Sequence, residues 1–134
     1  MADKSKLYFA MTPKAKVESL LRLAERYVSD PMRLKVLDVG CGVGRSGVLL
    51  TPRVAEYHGV DLSEKNIERS RQVNPIGSYK VSDGTTLPYP DNFFDVTFAI
   101  CVVHHVNPND WNRFFGEIAR VTRPGGISAI FEHN

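Results

Sequence analysis

Apolar residues follow two different spacings along the chain, and these spacings alternate. An apolar face at three- and four-residue spacing over residues 17–28 predicts a helix that begins at Thr12-Pro13 and ends at residues 29–31. Residues 34–39 are instead almost continuously apolar, which is typical of a strand buried on both faces. The chain therefore begins with a helix and then a buried strand.

The same alternation continues to residue 131. Further strands are predicted at residues 57–61, 78–82, 94–103 and 127–131, with a turn at 123–126. Helices are predicted from the glycines to about Leu50, after the cap Ser63, and from Asn109 with an inner face of Trp111, Phe114, Phe115, Ile118 and Val121. Strands that alternate with helices predict an α/β, Rossmann-like, mostly parallel sheet with helices on both faces.

Composition and charge fit an ordinary globular chain. The 134 residues suffice for one domain, which we assign to residues 12–134, after a flexible N-terminal segment at 1–11. A net charge of +2 argues for neither a nucleic acid nor a membrane partner. Residues 1–35 carry a local charge of +4, for which a solvated helix face is favoured over a patch for an acidic ligand.

The two cysteines, Cys41 and Cys101, stand far apart and outside any ligand spacing. This pattern predicts neither a disulfide framework nor a metal site, and it fits the reducing cytoplasm. The sequence contains neither a secretory leader pattern nor an apolar run of membrane-spanning length. We therefore expect a cytoplasmic protein.

Polar side chains stand where the predicted strands end. Asp38, Asp61, Asp83 and His104 all fall at such positions. Parallel sheets bind ligands outside the carboxyl ends of their strands, so these residues predict the position of a ligand site.

Two registers of the glycine loop after the first strand are possible. From Gly42 the residues fit the dinucleotide pattern GxGxxG, and Asp61 lies 19 positions later, close to the expected separation of about 20. That register leaves Gly40 unexplained and buries the carboxylate of Asp38 near a pyrophosphate. The register Asp38-x-Gly40-x-Gly42-x-Gly44 accounts for each residue and favours a cationic ligand with a ribose.

Five motifs in this order resemble the class I S-adenosylmethionine-dependent methyltransferases, and in particular the ubiquinone and menaquinone C-methyltransferase group. They are VLDVGCGVGR from residue 36, GVDLS from 59, SDGTTLPYPDNFFDVTFA from 82, VVHHV from 102 and EIARVTRPGGI from 117. The resemblance covers about residues 34–131. It implies S-adenosyl-L-methionine as cofactor and methyl transfer to a small-molecule acceptor.

The resemblance also implies roles for individual residues. The methionine part of the cofactor is expected to be bordered by Gly40, Cys41, Gly42, Ile100 and Cys101, and its ammonium to interact with Asp38. Asp61 is expected to accept both ribose hydroxyls and Leu62 to pack on the adenine, whose amino group binds Asp83 beside the Gly84 backbone.

Several of these residues have an alternative, purely structural interpretation. Asp61 could cap the following helix, Asp83 could be an ordinary turn residue, and Cys101 could be a small buried side chain or the partner of His104 in a nucleophilic pair. Either His104 or His105 could act as a general base, or bond only to backbone in a turn. On an extended segment the two histidines would point in opposite directions, so they would not share a metal.

The chain stops directly after the predicted fifth strand, whereas the family fold has seven strands. We therefore expect a chain truncated after strand five, with an exposed edge at 127–131 that invites self-association. Alternative functions are a cofactor-binding fragment or pseudoenzyme without turnover, and a nicotinamide-dependent oxidoreductase. Tyr8 and Phe9 could cover the cofactor or be disordered.

Overall fold

The computed structural model describes residues 12–132, which fold around a five-stranded sheet. The strands are β1 (Lys35–Val39), β2 (Glu56–Asp61), β3 (Ser78–Val81), β4 (Phe94–Ile100) and β5 (Thr122–Phe131). The helices are α1 (Pro13–Tyr27), α2 (Arg45–Leu50), α3 (Glu64–Val73) and α4 (Trp111–Val121). The expectations for residues 1–11, including Tyr8 and Phe9, lie outside the described residues.

All four strand pairs of the sheet are parallel, and the strand order is β3-β2-β1-β4-β5. The predicted parallel, Rossmann-like sheet is therefore confirmed. Strand order reverses next to β1, because β2 lies on one side of it and β4 on the other. The carboxyl ends of these three strands meet at the edge where such sheets bind ligands.

Helices cover both faces of the sheet, as predicted. On one face, α1, α2 and α3 share a core cluster with residues of β1, β2, β3 and β4, to which they contribute Val17, Leu20, Leu21, Leu50 and Ile67. The opposite face packs against α4 through Phe114, Ile118 and Val121. Buried apolar area on both faces is the main source of stability for this fold.

Local sequence signals set the helix starts. Thr12 caps α1 by accepting a hydrogen bond from the Ala15 backbone N–H at 3.1 Å, and Pro13 follows as the first helical residue. Ser63 caps α3 in the same way, with the Asn66 N–H at 3.2 Å.

The helix predicted from Asn109 begins at Trp111, because residues Pro108–Asp110 form a separate 3₁₀ turn. Trp111 and Phe115 are 41% and 40% exposed, so their predicted burial is wrong.

The fourth strand ends three residues earlier than predicted, at Ile100. Cys101 has φ of +56°, a left-handed conformation that interrupts an extended strand, and Val103–His105 form a 3₁₀ turn. His104 and His105 are therefore not on an extended segment. Their rings lie 3.9 Å apart instead of pointing to opposite sides, which corrects that expectation.

The turn predicted at residues 123–126 lies inside β5. Between the pairs Phe94↔Thr122 and Val96↔Ile127, β4 advances two residues while β5 advances five. A Cβ at Gly126 would lie 2.5 Å from the Asp95 carbonyl oxygen, so β5 requires glycine where it folds back against β4. This bulge lets the Pro124-Gly125 turn occur without ending the strand.

Strand β5 lies at one edge of the sheet that residues 12–132 form. Ile130 on this strand is 39% exposed. This position agrees with the premise of the self-association hypothesis, and self-association itself stays a prediction.

None of the helices within residues 12–132 has the length and apolar character needed to cross a membrane.

Arg120 on α4 holds the loop between β3 and β4 in place. Its guanidinium donates to the backbone oxygens of Leu87 (3.0 Å) and Tyr89 (2.9 Å) and to the carboxylates of Glu117 (2.7 Å) and Asp91 (2.8 Å). The Arg120 hydrogen bonds hold the pKa of Glu117 below its usual range. One side chain thus joins the loop to the helix.

We expect Arg120→Met to lower the free energy of unfolding by about 1–3 kcal/mol, because it leaves two carbonyls and two carboxylates without this donor. Urea denaturation at equilibrium would measure the change. Arg69→Met, on the exposed side of α3, is the matched control. An Arg120 variant as stable as that control would contradict the prediction.

Candidate functional site

The turn after β1 is built from glycines that bring its backbone to a cavity. Gly40 and Gly42 have φ of +80° and +57°, in the left-handed region. A Cβ on Gly40 would lie 2.4 Å from Val102 Cγ2, so this position excludes a side chain. A Cβ on Gly42 would meet nothing within 4 Å, so its backbone borders open space where a ligand can approach closely.

Asp61, at the end of β2, connects this turn to the start of α3. Its carboxylate accepts hydrogen bonds from the backbone N–H groups of Gly42 and Ser63, both at 2.9 Å, and from Asn66 Nδ2 at 3.2 Å. The capping interpretation of Asp61 is thus partly correct, although Ser63 is the cap of α3. Each carboxylate oxygen has two lone pairs, and Oδ1 accepts two of these bonds while Oδ2 accepts one, so Oδ2 of Asp61 retains one acceptor site in the cavity that Asp61 lines.

Asp38 is far more buried than an acid at a strand tip would be. It is 2% exposed, and the Tyr57 hydroxyl donates to its Oδ2 at 2.6 Å. Burial, with a smaller effect from the nearby charge of Asp61, raises the pKa of Asp38 to about 7. Near neutral pH, Asp38 is therefore present both as the neutral acid and as the carboxylate.

Two adjoining cavities lie beside the glycine turn, with volumes of about 630 and 350 Å³. Gly40, Asn66 and Ile100 line both of them. The larger cavity extends along Asp61, Leu62, Asp83 and Gly84, and the smaller one along Asp38, Cys41 and Gly42. The structure thus brings together all ten cofactor-binding candidates around one joined space.

Asp83 follows the end of β3 and lines the larger cavity. It is exposed, and its Oδ1 accepts from the Thr85 N–H and hydroxyl, both at 2.8 Å. These bonds hold the pKa of Asp83 below its usual value, so it is ionised at neutral pH. Asp83 is therefore both a turn residue and a cavity residue. Leu62, 72% exposed, offers an apolar surface on the same cavity.

The two cysteines differ in their surroundings. Cys41 is buried, and burial raises the pKa of its thiol to about 12, so it stays neutral. Cys101 lines the larger cavity, and its Sγ accepts a hydrogen bond from Lys16 Nζ at 3.6 Å. Nothing in these contacts activates Cys41 as a nucleophile, and its thiol serves as a small buried group.

The two histidines have different positions in the 3₁₀ turn after β4. His105 lines the larger cavity. His104 Nδ1 lies 3.0 Å from Glu132 Oε2, while Glu132 Oε1 accepts from the Val103 N–H at 2.6 Å. Among residues 12–132, no three metal-binding side chains lie close enough together to hold an ion.

The sequence did not indicate Asn66, which lines both cavities, or Lys16 and Glu132, which contact Cys101 and His104. Asn66 sits one helical turn after Ser63, so its position beside Asp61 was readable from the helix period. Glu132 and Lys16 reach the site through contacts across 28 and 85 residues, which local sequence patterns do not reveal.

A parallel sheet with a glycine turn after β1, and with acids after β2 and β3, is the arrangement of an α/β protein that binds a nucleoside-containing cofactor. A family described as "Methyltransferase domain" matches residues 37–130. The chain belongs to this family, and the predicted membership of the class I S-adenosylmethionine-dependent methyltransferases is confirmed. Membership implies use of S-adenosylmethionine.

Curated relatives include 27-O-demethylrifamycin SV methyltransferase of Amycolatopsis mediterranei (strain S699), which is 34% identical over 123 residues. A second is 2-methyl-6-phytyl-1,4-hydroquinone methyltransferase of Synechocystis sp. (strain ATCC 27184 / PCC 6803 / Kazusa), 32% identical over 108 residues. The alignments cover 84% and 78% of this chain. The chain spans only 44% and 33% of these relatives, which are longer proteins.

Solved structures show the same fold. The PH0226 protein of Pyrococcus horikoshii OT3 superposes with a TM-score of 0.74 and 30% identity, covering 92% of this chain and 64% of that one. An S-adenosylmethionine-dependent methyltransferase of Mesorhizobium loti gives a TM-score of 0.72 at 23% identity, over 90% of this chain and 54% of that one. The second likeness bears on the fold alone.

Proposed function

We propose that this chain binds S-adenosylmethionine in the two adjoining cavities and transfers its methyl group to a small-molecule acceptor. The observation that carries this proposal is the joined space in which the glycine turn after β1 meets Asp61 and Asp83 from the next two strands. Family membership and the two small-molecule methyltransferases among its relatives support the same function.

The residues present fit such a cofactor. The larger cavity lies within the range of about 300–1,000 Å³ usual for ligand sites. It offers carboxylate acceptors for hydroxyl and amino groups, and Leu62 for an aromatic ring. In this proposal Asp61 accepts the ribose hydroxyls, while Asp83 accepts the adenine amino group beside the Gly84 backbone.

The smaller cavity fits the methionine end. Gly40, Cys41 and Gly42, directly after β1, and Ile100, at the end of β4, would border it, and Cys101 would border the adjoining larger cavity. Asp38 would interact with the ammonium group. A pKa of about 7 allows Asp38 to ionise when a cation arrives, because the cation favours its charged form.

The dinucleotide alternative fits this turn less well. In that register Gly44 would have to approach a pyrophosphate, yet a Cβ at Gly44 would face Ser70 of α3, with Oγ at 3.5 Å. The open space is at Gly42 instead. These contacts favour a sulfonium cofactor over a nicotinamide dinucleotide.

The chain's own residues would contribute to methyl transfer mainly by positioning the acceptor. When bound, the cofactor supplies a methyl carbon already activated by its sulfonium. The cavity walls would hold the acceptor in line with that carbon and exclude water, which accounts for a large part of rate acceleration in such reactions. His105, on the cavity wall, could take a proton from an acceptor hydroxyl at a ring nitrogen, and His104 is oriented by Glu132.

A turnover assay tests the proposal against its nearest alternative, a cofactor-binding chain without turnover. We expect S-adenosylhomocysteine to form when the protein, S-adenosylmethionine and a panel of phenols, hydroquinones and sugar hydroxyls are incubated together. His105→Ala should reduce turnover for hydroxyl acceptors at saturating S-adenosylmethionine by about 100-fold, the lower end for general base catalysis. Binding of the cofactor without product from any acceptor would support the alternative.

A further inference from the structure

An apolar groove lies on the surface where the start of α1, the helix α2 and the end of α3 meet. Its volume is about 460 Å³, and it is lined by the apolar side chains of Pro13, Val43, Val48, Leu49 and Val73. The three valines come from the glycine turn, from α2 and from α3, and each is between 41% and 46% exposed. Half-exposed valines that converge from separate elements form a surface that can still bury apolar area.

The charged side chains that line this groove, Lys14 and Arg45, are both cationic. Arg69 adds a third cation, on α3 one helical turn before the valine of the groove and on the same face. Within residues 12–132 none of these three cations forms an ion pair, whereas the neighbouring acids Glu18 and Glu68 are paired with other arginines. The net charge of +2 does not reveal this local excess of positive charge.

A lipid bilayer with anionic headgroups matches this combination of side chains. Aliphatic side chains such as those of Val43 and Val48 can enter the boundary between headgroups and acyl chains. Lysine and arginine place their apolar stems along such a surface and keep their charges at the level of the phosphates. The cations at the groove flank the valines, as this mode of contact requires.

A protein partner fits these residues less well. Protein interfaces are enriched in aromatic anchors and rely on directional hydrogen bonds. The part of the chain that the structure describes brings no aromatic side chain to the lining of this groove. Apart from the two cations, the lining offers one side-chain hydrogen-bonding group, the Thr12 hydroxyl, which already caps α1.

We propose that this face of the protein docks on the surface of an anionic lipid bilayer. The contact is peripheral, because it uses side chains at helix ends and requires no helix to enter the membrane. It does not rest on the proposed function, because it needs neither cofactor nor acceptor. Pro13, Val43 and Arg45 line the smaller cavity as well, so docking places that cavity beside the bilayer.

Sedimentation of the full chain with lipid vesicles tests this proposal. We expect the protein to sediment with vesicles of phosphatidylcholine mixed with phosphatidylglycerol, and not with phosphatidylcholine alone. Replacing Lys14 and Arg45 together with glutamine should weaken binding about 25-fold, or about fivefold for each cation. Replacing Val48 and Val73 together with serine should also weaken binding, because it removes the apolar area that enters the bilayer.

Two matched controls lie on other surfaces. Arg33→Gln removes an exposed cation that precedes β1, and Ile76→Ser removes an apolar side chain that is 82% exposed. Both variants should bind the anionic vesicles as the wild type does. Raising the salt concentration should weaken binding of the wild type, which tests the contribution of charge without any substitution.

Absence of sedimentation with the anionic vesicles would overturn the proposal, as would equal weakening by Arg33→Gln or Ile76→Ser. Other occupants of the groove give different results in the variant with serine at Val48 and Val73. A wild-type dimer in light scattering that this variant lacks would assign the groove to a second copy of the chain. Faster trypsin cleavage after Lys6 in this variant would assign it to residues 1–11, and either result without vesicle binding contradicts membrane docking.

Discussion

Replacing Asp38 with asparagine is expected to raise the free energy of unfolding at pH 8 and, at the same pH, to weaken binding of S-adenosylhomocysteine. Asparagine keeps the acceptor for the Tyr57 hydroxyl and carries no charge, so it resembles the protonated form of this buried acid. Removing a buried charge stabilises the fold, whereas removing the partner of the ligand's ammonium weakens binding. Stability and affinity should therefore change in opposite directions.

The sign of the pH dependence follows from the raised pKa of Asp38. Between the usual pKa of an aspartate and about 7, the folded protein binds more protons at this site than the unfolded chain does. The free energy of unfolding of the wild type should thus fall as pH rises from 5 to 7, by up to about 1.4 kcal/mol per pH unit from this group. Above about pH 8 the contribution is lost in full.

Carboxylates with lowered pKa values affect the free energy of unfolding in a different pH range. Asp83, Glu117 and Glu132 contribute stability that is present above their unfolded pKa and is lost as pH falls through their folded values. They therefore matter below about pH 5. Urea titrations at several pH values from 5 to 8 should show a falling stability in the wild type that Asp38→Asn lacks. Parallel curves for the two proteins would contradict the burial of an ionisable Asp38.

Replacing Asp61 with asparagine should weaken S-adenosylhomocysteine and 5′-deoxy-5′-methylthioadenosine about equally, by about 10- to 100-fold. Both ligands contain the ribose that Asp61 is proposed to bind. Calorimetric titration of each ligand measures both affinities.

The structure predicts a second effect of the same substitution. Gly42 and Ser63 donate to different carboxylate oxygens of Asp61, and asparagine keeps only one of these two acceptors, so one hydrogen bond and some stability are lost as well. Glu64→Gln, three residues along the chain on the exposed side of α3, removes a nearby charge without touching those bonds and is the matched control. Weakening by the control to the same degree would point to a general electrostatic effect instead of a ribose contact.

Most of the fold was predictable because its signals are local. Continuous apolar runs identify β1 and β4, while Thr12 and Ser63 identify the starts of α1 and α3. The parallel order follows from strands that alternate with helices. The end of β4 was not predictable, because the left-handed conformation of Cys101 is unusual for a residue other than glycine.

The grouping of the candidate residues around two cavities was predictable from the sequence, whereas their burial and hydrogen bonding were less so. Strand-end positions and the family motifs indicated Asp38, Asp61 and Asp83. The burial of Asp38 involves Tyr57, which pairs with Val36 on the neighbouring strand, two residues before Asp38 in the β1–β2 register. Such cross-strand contacts, like the one between His104 and Glu132, arise from tertiary packing and leave little trace in local sequence.

Calorimetric titration of the purified chain with S-adenosylhomocysteine, beside a separate titration with NAD, tests the central claim most directly. We predict saturable binding of S-adenosylhomocysteine at one site per chain and none of NAD. Saturable binding of NAD by a chain that does not bind S-adenosylhomocysteine would contradict the account and restore the dinucleotide register of the glycine turn.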